Sequence, residues 1–173
     1  ASPDSDYDVR FIYVRPKDAY LRLQKHRDVI ELPINDALDI NGWDLTKTLR
    51  LLHKSNPTLF EWGASPIVYL ETDFAARFNS VMGRYFSSKR GLYHYIHMAA
   101  GNYREYIKGD MIKAKKYFYV LRPVLACRWI LDKGSPPPML FSELMESGLA
   151  PELKPEVERL LELKVNSPEI RMI

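Results

Sequence analysis

The hydrophobic pattern of this chain is mixed before Asn56-Pro57 and helical after it, and that difference limits the folds open to it. Before this point, short apolar runs separated by turn residues, as in β-strands, are followed by one helical pattern; after it, apolar residues recur at helical spacing. The 173 residues, 46% of them hydrophobic, suffice to bury a core. The sequence therefore predicts an α+β fold: a small mixed β-sheet in residues 1–60, followed by a helical bundle in residues 61–173.

Three strands are predicted in the first part of the chain. Residues 7–14 form the most apolar run, and "VIELPI" (29–34) and "ALDI" (37–40) are shorter runs that are typical of strands. Asn35 and Asp36 separate the last two runs and are residues that turns favour. These strands would form one small sheet.

Two prolines and one glycine mark the expected ends of elements. Gly42 is predicted to end the last strand, and Asp44 to cap the helix that follows and stops at Asn56-Pro57. Pro123 lies inside the long apolar segment 110–132, so we expect it to kink or divide that helix. Further helices are predicted over 58–62, 72–86, 92–107, 140–147 and 155–164, and the polar segment 16–28 is either a loop or a short helix.

Charge and cysteine content narrow the class of protein. The formal net charge is only +3, so the whole chain is not a polycation of the kind that binds nucleic acid nonspecifically. The single cysteine, Cys127, lies in an apolar run, which favours a reducing cytoplasm. No apolar run approaches the roughly 20 residues of a membrane span, so no membrane association is expected. Because strand signals begin so close to Ala1, we expect further protein to precede it.

Carboxylates cluster at the start of the first strand. Asp6 and Asp8 share one strand face, since alternate side chains point to the same side, and Asp39 follows in "ALDI". Neighbouring carboxylates repel each other unless a cation lies between them. Three carboxylates on adjacent strands could hold two Mg²⁺ ions together with substrate phosphates. The alternative is a solvated acidic strand start, because the D-x-D spacing is common.

A second cluster of candidate residues lies in "KGDMIKAKKYFYVLR". On a helix, cations would lie on both sides of Tyr119, where they could offset a triphosphate while an aromatic ring contacts a base. The alternative is a helix with partly buried aromatic residues and solvated lysines. The candidates for nucleotide binding are Lys113, Lys115, Lys116, Tyr117, Tyr119 and Arg122.

Three segments together carry a resemblance to a known family: "SPDSDYDVRFIYV", "LDINGWDLTKTLRLLHKSNPTLFEWGASPIVY" and "KKYFYVLRPVLACRWI". The chain resembles the predicted nucleotidyltransferases of the DNA polymerase beta superfamily that form an RNA repair pathway family. The resemblance implies that Asp6 and Asp8 are metal ligands and that Asp39 is the third carboxylate, which would activate the incoming hydroxyl. Asp44 competes with Asp39 for that role, although its position before "LTKTL" fits an N-cap better.

The resemblance also implies an activity and shows one departure. In the superfamily a Gly-Ser segment precedes the D-x-D strand, and Ala1 of this sequence corresponds to a position after that Gly-Ser segment. The implied activity is Mg²⁺-dependent transfer of a nucleoside monophosphate from an NTP, with ATP as the expected NTP, to a hydroxyl acceptor such as an RNA end. The alternatives are a noncatalytic nucleotide- or RNA-binding module, and transfer to a protein side chain or a small molecule.

Overall fold

The computed structural model of this protein describes residues 7–33, 38–109 and 111–166, and it has the predicted α+β architecture. Its strands are β1 (Tyr7–Tyr13), β2 (Val29–Glu31) and β3 (Leu38–Asp44). They form one sheet in the order β1-β3-β2, in which β3 pairs parallel with β1 and antiparallel with β2. The mixed sheet is thus confirmed, while the predicted turn at Asn35 and Asp36 lies outside the described residues.

Helices dominate the chain after β3. Within the described ranges, the α-helices are α1 (Lys17–Tyr20), α2 (Leu45–His53), α3 (Pro57–Gly63), α4 (Asp73–Met82), α5 (Ser88–Tyr106), α6 (Ala114–Lys133), α7 (Phe141–Gly148) and α8 (Lys154–Val165). The segment predicted as one helix over 72–86 is α4 followed by a 3₁₀ turn, Gly83–Tyr85. The undecided segment 16–28 contains only the short α1.

The prediction that Gly42 ends its strand is wrong. Gly42 is a buried residue inside β3 and pairs with Phe11 of β1. A Cβ atom at position 42 would lie 2.3 Å from Cζ of the Phe11 ring, so glycine is there because the ring covers its backbone. The strand therefore runs on to Asp44, which places β3 beside β1 over their full length.

Pro123 does not divide its helix, contrary to that part of the prediction. The helix α6 runs without interruption through Pro123, which is buried. Proline cannot donate to the carbonyl four residues earlier, which is that of Tyr119. The Asn102 side chain of α5 donates a hydrogen bond from Nδ2 to this carbonyl over 2.7 Å. A side chain from the neighbouring helix thus replaces the missing backbone donor.

The hydrophobic core consists of linked clusters. One joins the sheet to α2, α3 and α4, with Ile12 and Trp43 of the strands packed against residues such as Leu59 and Phe60. Another joins α6, α7 and α8. Phe86 contacts the sheet cluster and also a third cluster between α5 and α6. The division into residues 1–60 and 61–173 stays a prediction.

Candidate active site

The paired starts of β1 and β3 bring two of the predicted carboxylates together. Asp8 and Asp39 are register partners on these adjacent parallel strands, so both side chains lie on the same face of the sheet. The Asp8 side chain is 67% exposed and that of Asp39 is 26% exposed. Asp6, the third predicted ligand, lies outside the described residues. The sheet therefore presents a carboxylate pair at its rim.

Arg10 is the cation between these carboxylates. Its Nη2 donates to Oδ1 of Asp8 and, over 2.7 Å, to Oδ2 of Asp39. Its Nη1 donates to the backbone carbonyl of Asp39, also over 2.7 Å. The hydrogen bond from Arg10 is the main reason that the pKa of Asp39 lies below its ordinary value; loss of solvent contact opposes this, and the positive charge of Arg10 reinforces it. Asp39 is therefore ionised at neutral pH.

Arg10 was not among the site residues predicted from the sequence, although a signal was present. Arg10 stands two positions after Asp8, so on a strand it shares the face of that carboxylate. Its contact with Asp39 depends on the pairing of β1 with β3, which the sequence pattern does not specify. The position of the cation could be inferred, but its second partner could not.

Asp44 lies at the other end of β3 and has a structural role. It stands five positions after Asp39, so its side chain points to the opposite face of the sheet. Its carboxylate accepts from the backbone N–H of Thr46 over 2.8 Å and from the Tyr20 hydroxyl over 3.0 Å. The predicted N-cap of α2 is confirmed. Burial alone would raise the pKa of Asp44, but the hydrogen bonds from Thr46 and Tyr20 and the charge of Arg15 lower it overall.

The sheet face that carries Asp8 and Asp39 is covered by helices beyond these two carboxylates. Ile12 and Trp43 follow Asp8 and Asp39 on this face and enter the core shared with α2, α3 and α4. The Trp43 ring stacks on that of Trp62, with centroids 3.7 Å apart. The site thus has a packed inner wall and an open outer end.

The predicted nucleotide-binding residues lie on α6 and at its start, and two of them meet. Nζ of Lys116 lies 3.3 Å from the ring centroid of Tyr106 and 4.7 Å from that of Tyr119. Lys113 is the residue before α6, and Lys115 and Tyr117 are partly buried in its first turns. Lys116 is therefore held by aromatic rings, and Tyr119 is 43% exposed beside it.

Arg122 has the specific protein partners that its place in an apolar run suggests. Its Nη1 donates to the carbonyl of Met139 over 2.7 Å, and its Nη2 lies 3.6 Å from Oε1 of Glu61. Nη2 also donates to the carbonyl of Pro138 over 3.4 Å. These contacts tie α6 to α3 and to the segment before α7, so in this structure the guanidinium is engaged in holding helices together.

The carboxylates lie on the sheet and the predicted nucleotide-binding residues lie on α6 or at its start, and the sheet and α6 pack against different helices. The sheet packs against α2, whereas α6 packs against α5, α7 and α8. Within the described residues, no group of three or more His, Cys, Asp or Glu side chains is arranged to hold a metal ion. The described part of the molecule thus contains two separate candidate regions, the Asp8–Arg10–Asp39 cluster and the Lys116–Tyr119 region.

Comparison with known proteins identifies the family. Residues 1–173 match the RNA repair pathway DNA polymerase beta family, RlaP. This chain belongs to that family. An uncharacterised protein of Bacillus subtilis (strain 168), YcgL, is 53% identical over 171 residues, which cover 98% of this chain and 66% of the relative. No solved structure matches.

Membership confirms the resemblance and the polymerase beta context, but it assigns no residue. The family description places the chain among DNA polymerase beta-like proteins of RNA repair, for which nucleotidyl transfer is the suggested chemistry.

Among the helices in the described ranges, none combines the length and hydrophobicity needed to cross a bilayer.

Proposed function

We propose that this chain is the catalytic part of a nucleotidyltransferase that moves a nucleoside monophosphate from an NTP to a hydroxyl acceptor, with release of pyrophosphate. An RNA end is the acceptor that the family description favours, and ATP is the first NTP to test. The chain spans about two thirds of its Bacillus relative, so the activity proposed is that of the full-length protein.

The single observation that carries the proposal is the register of Asp8 with Asp39. Carboxylates on adjacent parallel strands, at the open rim of a sheet, present oxygen atoms from a rigid scaffold. They are the residues that the family resemblance singled out, and the pairing of β1 with β3 brings them together. A catalytic site for phosphoryl chemistry depends mainly on such fixed positions and charges.

The donor atoms present are suited to Mg²⁺. This ion is commonly bound by one or two carboxylates together with substrate phosphates and water, so Asp8 and Asp39 suffice as its described protein ligands, with Asp6 as a third. When bound there, Mg²⁺ would stabilise the attacking and leaving oxygens of the displacement. Arg10 now lies between the carboxylates, so metal binding requires its guanidinium to move aside.

The protein's own side chains have separate proposed roles. Asp39, which is ionised at neutral pH, accepts the hydrogen bond of the attacking hydroxyl and assists its deprotonation. Lys116, with Lys113 or Lys115, offsets the triphosphate charge. Tyr117 or Tyr119 contacts the base. Arg122 can join them only by leaving Glu61 and the carbonyls that it now contacts.

The test is pyrophosphate release by the full-length protein with each NTP, Mg²⁺ and a pool of RNA 3′ ends. We expect Asp8→Asn to lower kcat by roughly 10³-fold or more, because a group that acts on the transition state is lost. The matched control is Asp132→Asn, which neutralises an exposed carboxylate on α6 and should leave turnover unchanged. Substantial turnover by well-folded, pure Asp8→Asn protein would contradict the proposal.

A second candidate function is a noncatalytic nucleotide- or RNA-binding module. The contact of Arg10 with both carboxylates favours it, because the arginine already offsets one of their two negative charges without a metal. This function predicts nucleotide or RNA binding that persists in EDTA and no pyrophosphate release with any NTP.

A further inference from the structure

A basic cavity lies at the end of the sheet opposite to the carboxylates. It has a volume of about 240 Å³ and lies between the segment 15–28 and the start of α2, where β1 and β3 end. Asp39 and Asp44 are five positions apart on β3, which at roughly 3.3 Å per residue separates the two ends by about 16 Å. The cavity is therefore distinct from the Asp8–Arg10–Asp39 cluster.

Hydrogen bonds fix the segment 15–28 against Asp44. The Tyr20 hydroxyl accepts from the backbone N–H of Arg15 over 2.9 Å and donates to Asp44. The backbone N–H of Asp44 donates to the carbonyl of Asp28 over 2.9 Å. A ring nitrogen of His26 lies 2.8 Å from the carbonyl of Ala19. The cavity wall is thus held in place by the fold.

The cations around this cavity outnumber the acids that could neutralise them. Three ionic contacts match some of the charges: Arg15 with Asp44 at 3.7 Å, Lys47 with Asp28 at 3.8 Å, and Arg27 with Glu31. Arg22, Lys25 and Arg50 also line the cavity, and none of them makes an ion pair or side-chain hydrogen bond with another described residue. All three are exposed residues that line the same cavity, and none has a counterion in the described protein.

Arg15 adds a donor without an acceptor. Its Nε is shielded from solvent and donates no hydrogen bond within the described part of the chain, because its ionic contact with Oδ2 of Asp44, at 3.7 Å, is too long for one. Its Nη2 donates to the carbonyl of Arg27 over 2.9 Å, which holds the guanidinium at the cavity wall. A buried N–H without a hydrogen-bond acceptor is costly, and Asp44 offsets only the charge of Arg15, so a phosphate oxygen in the cavity could supply the missing acceptor.

We propose that this cavity binds a phosphate group, with Arg22, Lys25 and Arg50 as its main cationic contacts. The like charges around the cavity repel each other, and the attraction of each cation to a bound phosphate would offset that repulsion. Arginine guanidinium groups match the geometry of phosphate oxygens. The cavity is smaller than the roughly 300–1,000 Å³ that encloses a whole small-molecule ligand, so it suits one phosphate of a larger molecule.

Two sources of phosphate fit this chemistry: the backbone of a polynucleotide and the phosphates of a free nucleotide. The proposal concerns binding alone and does not depend on the proposed catalysis. Asp39→Asn, at the far end of the sheet, should leave the phosphate site intact. Loss of transfer and loss of phosphate binding are therefore separable results.

The test compares binding by the full-length protein and by the triple variant Arg22→Gln/Lys25→Gln/Arg50→Gln. The probes are a fluorescent single-stranded oligouridylate, titrated at several salt concentrations, and ATP without Mg²⁺, measured by calorimetry. We expect roughly tenfold or more weaker binding of at least one probe. For the oligouridylate, the slope of log K against log salt should become shallower by about 0.7, from one phosphate contact on a single strand.

The matched control is Lys89→Gln/Lys133→Gln/Arg159→Gln, which removes the same charge from exposed positions on α5, α6 and α8. Weakened oligouridylate binding in the cavity variant alone would support a polynucleotide phosphate; weakened ATP binding alone would support a nucleotide phosphate. Equal effects of the two triple variants, or no effect of the cavity variant on either probe, would overturn the proposal. Arg22→Lys/Arg50→Lys keeps the charge and should retain most of the binding, and circular dichroism checks that each variant is folded.

Discussion

The two ends of the sheet treat charge in opposite ways. At the start of β1 and β3, two carboxylates share one arginine, so the acids outnumber the cation. At the end of the same strands, Asp44 is fully hydrogen-bonded, while Arg22, Lys25 and Arg50 have no described counterion. One rim is therefore suited to cations and the other to anions. A single pair of parallel strands thus positions two sites of opposite charge preference.

The largest expected effect on stability comes from removing the acid at the cationic end. Asp44→Ala removes the cap of α2, the acceptor of Tyr20 and the ionic partner of Arg15, so we expect the free energy of unfolding to fall by about 2 kcal/mol. Urea unfolding measures this change. Thr72→Ala, which removes the exposed cap of α4, is the control and should cost less. Equal losses in the two variants would show that the network around Asp44 adds nothing to a simple cap.

The next effect tests the acidic end directly. Arg10→Met leaves Asp8 and Asp39 without their shared cation, so we expect Mg²⁺ to bind at least about fivefold more tightly, since a unit charge at about 4 Å contributes about 1 kcal/mol even in water-like surroundings. Calorimetric titration with Mg²⁺ measures the affinity, and Arg159→Met controls for net charge. Unchanged affinity would mean that Arg10 does not compete with the metal.

A smaller effect is expected at the residue between the two ends. Gly42→Ala would gain roughly 0.5–1 kcal/mol from reduced chain entropy in the unfolded state, but it forces the Phe11 ring to move, which typically costs 1–3 kcal/mol. We therefore expect a net loss of about 1 kcal/mol in the free energy of unfolding. The double variant Gly42→Ala/Phe11→Leu should recover part of that loss in the same urea assay. If Gly42→Ala alone were stabilising, the ring contact would not be the reason for glycine.

The smallest effect is a dependence of stability on acid pH. The pKa values of Asp39 and Asp44 are both lowered on folding, so their stabilising contributions are complete above the ordinary aspartate pKa of about 3.9 and are lost as the pH falls towards the folded values. Thermal unfolding between about pH 6 and pH 3 should show a falling midpoint below about pH 4. Asp44→Asn should flatten that fall, whereas Asp132→Asn should not. If Asp44→Asn left the dependence of the unfolding midpoint on pH unchanged, that result would contradict the lowered pKa of Asp44 in the folded protein.

Much of the fold followed from local patterns, because strand and helix periods and helix caps depend on nearby residues. The position of Asp44 before a helical run was enough to identify its cap, and the helical spacing after Pro57 indicated the helices that follow. One prediction was wrong, and part of another failed, for a shared reason. Gly42 is covered by a ring from another strand, and the helix through Pro123 is completed by Asn102 from another helix.

The candidate site was predictable only in part. The D-x-D spacing and the family resemblance pointed to Asp8 and Asp39, and strand pairing then brought those residues together. The basic cavity could not be foreseen, because Arg50 comes from α2 and meets Arg22 and Lys25 only through the tertiary fold. Residues that are far apart in sequence carry no periodic signal of their contact.

The stacked indoles beside the carboxylates give this protein an intrinsic optical reporter. Trp43 lies on the same sheet face as Asp39, and its ring contacts that of Trp62, while the chain contains only one other tryptophan. A shift of β3 at the rim would change the overlap of these rings and with it the emission and the near-ultraviolet circular dichroism of the pair. A movement of β3 that accompanies binding at the acidic rim would therefore be visible in the spectra of unlabelled protein.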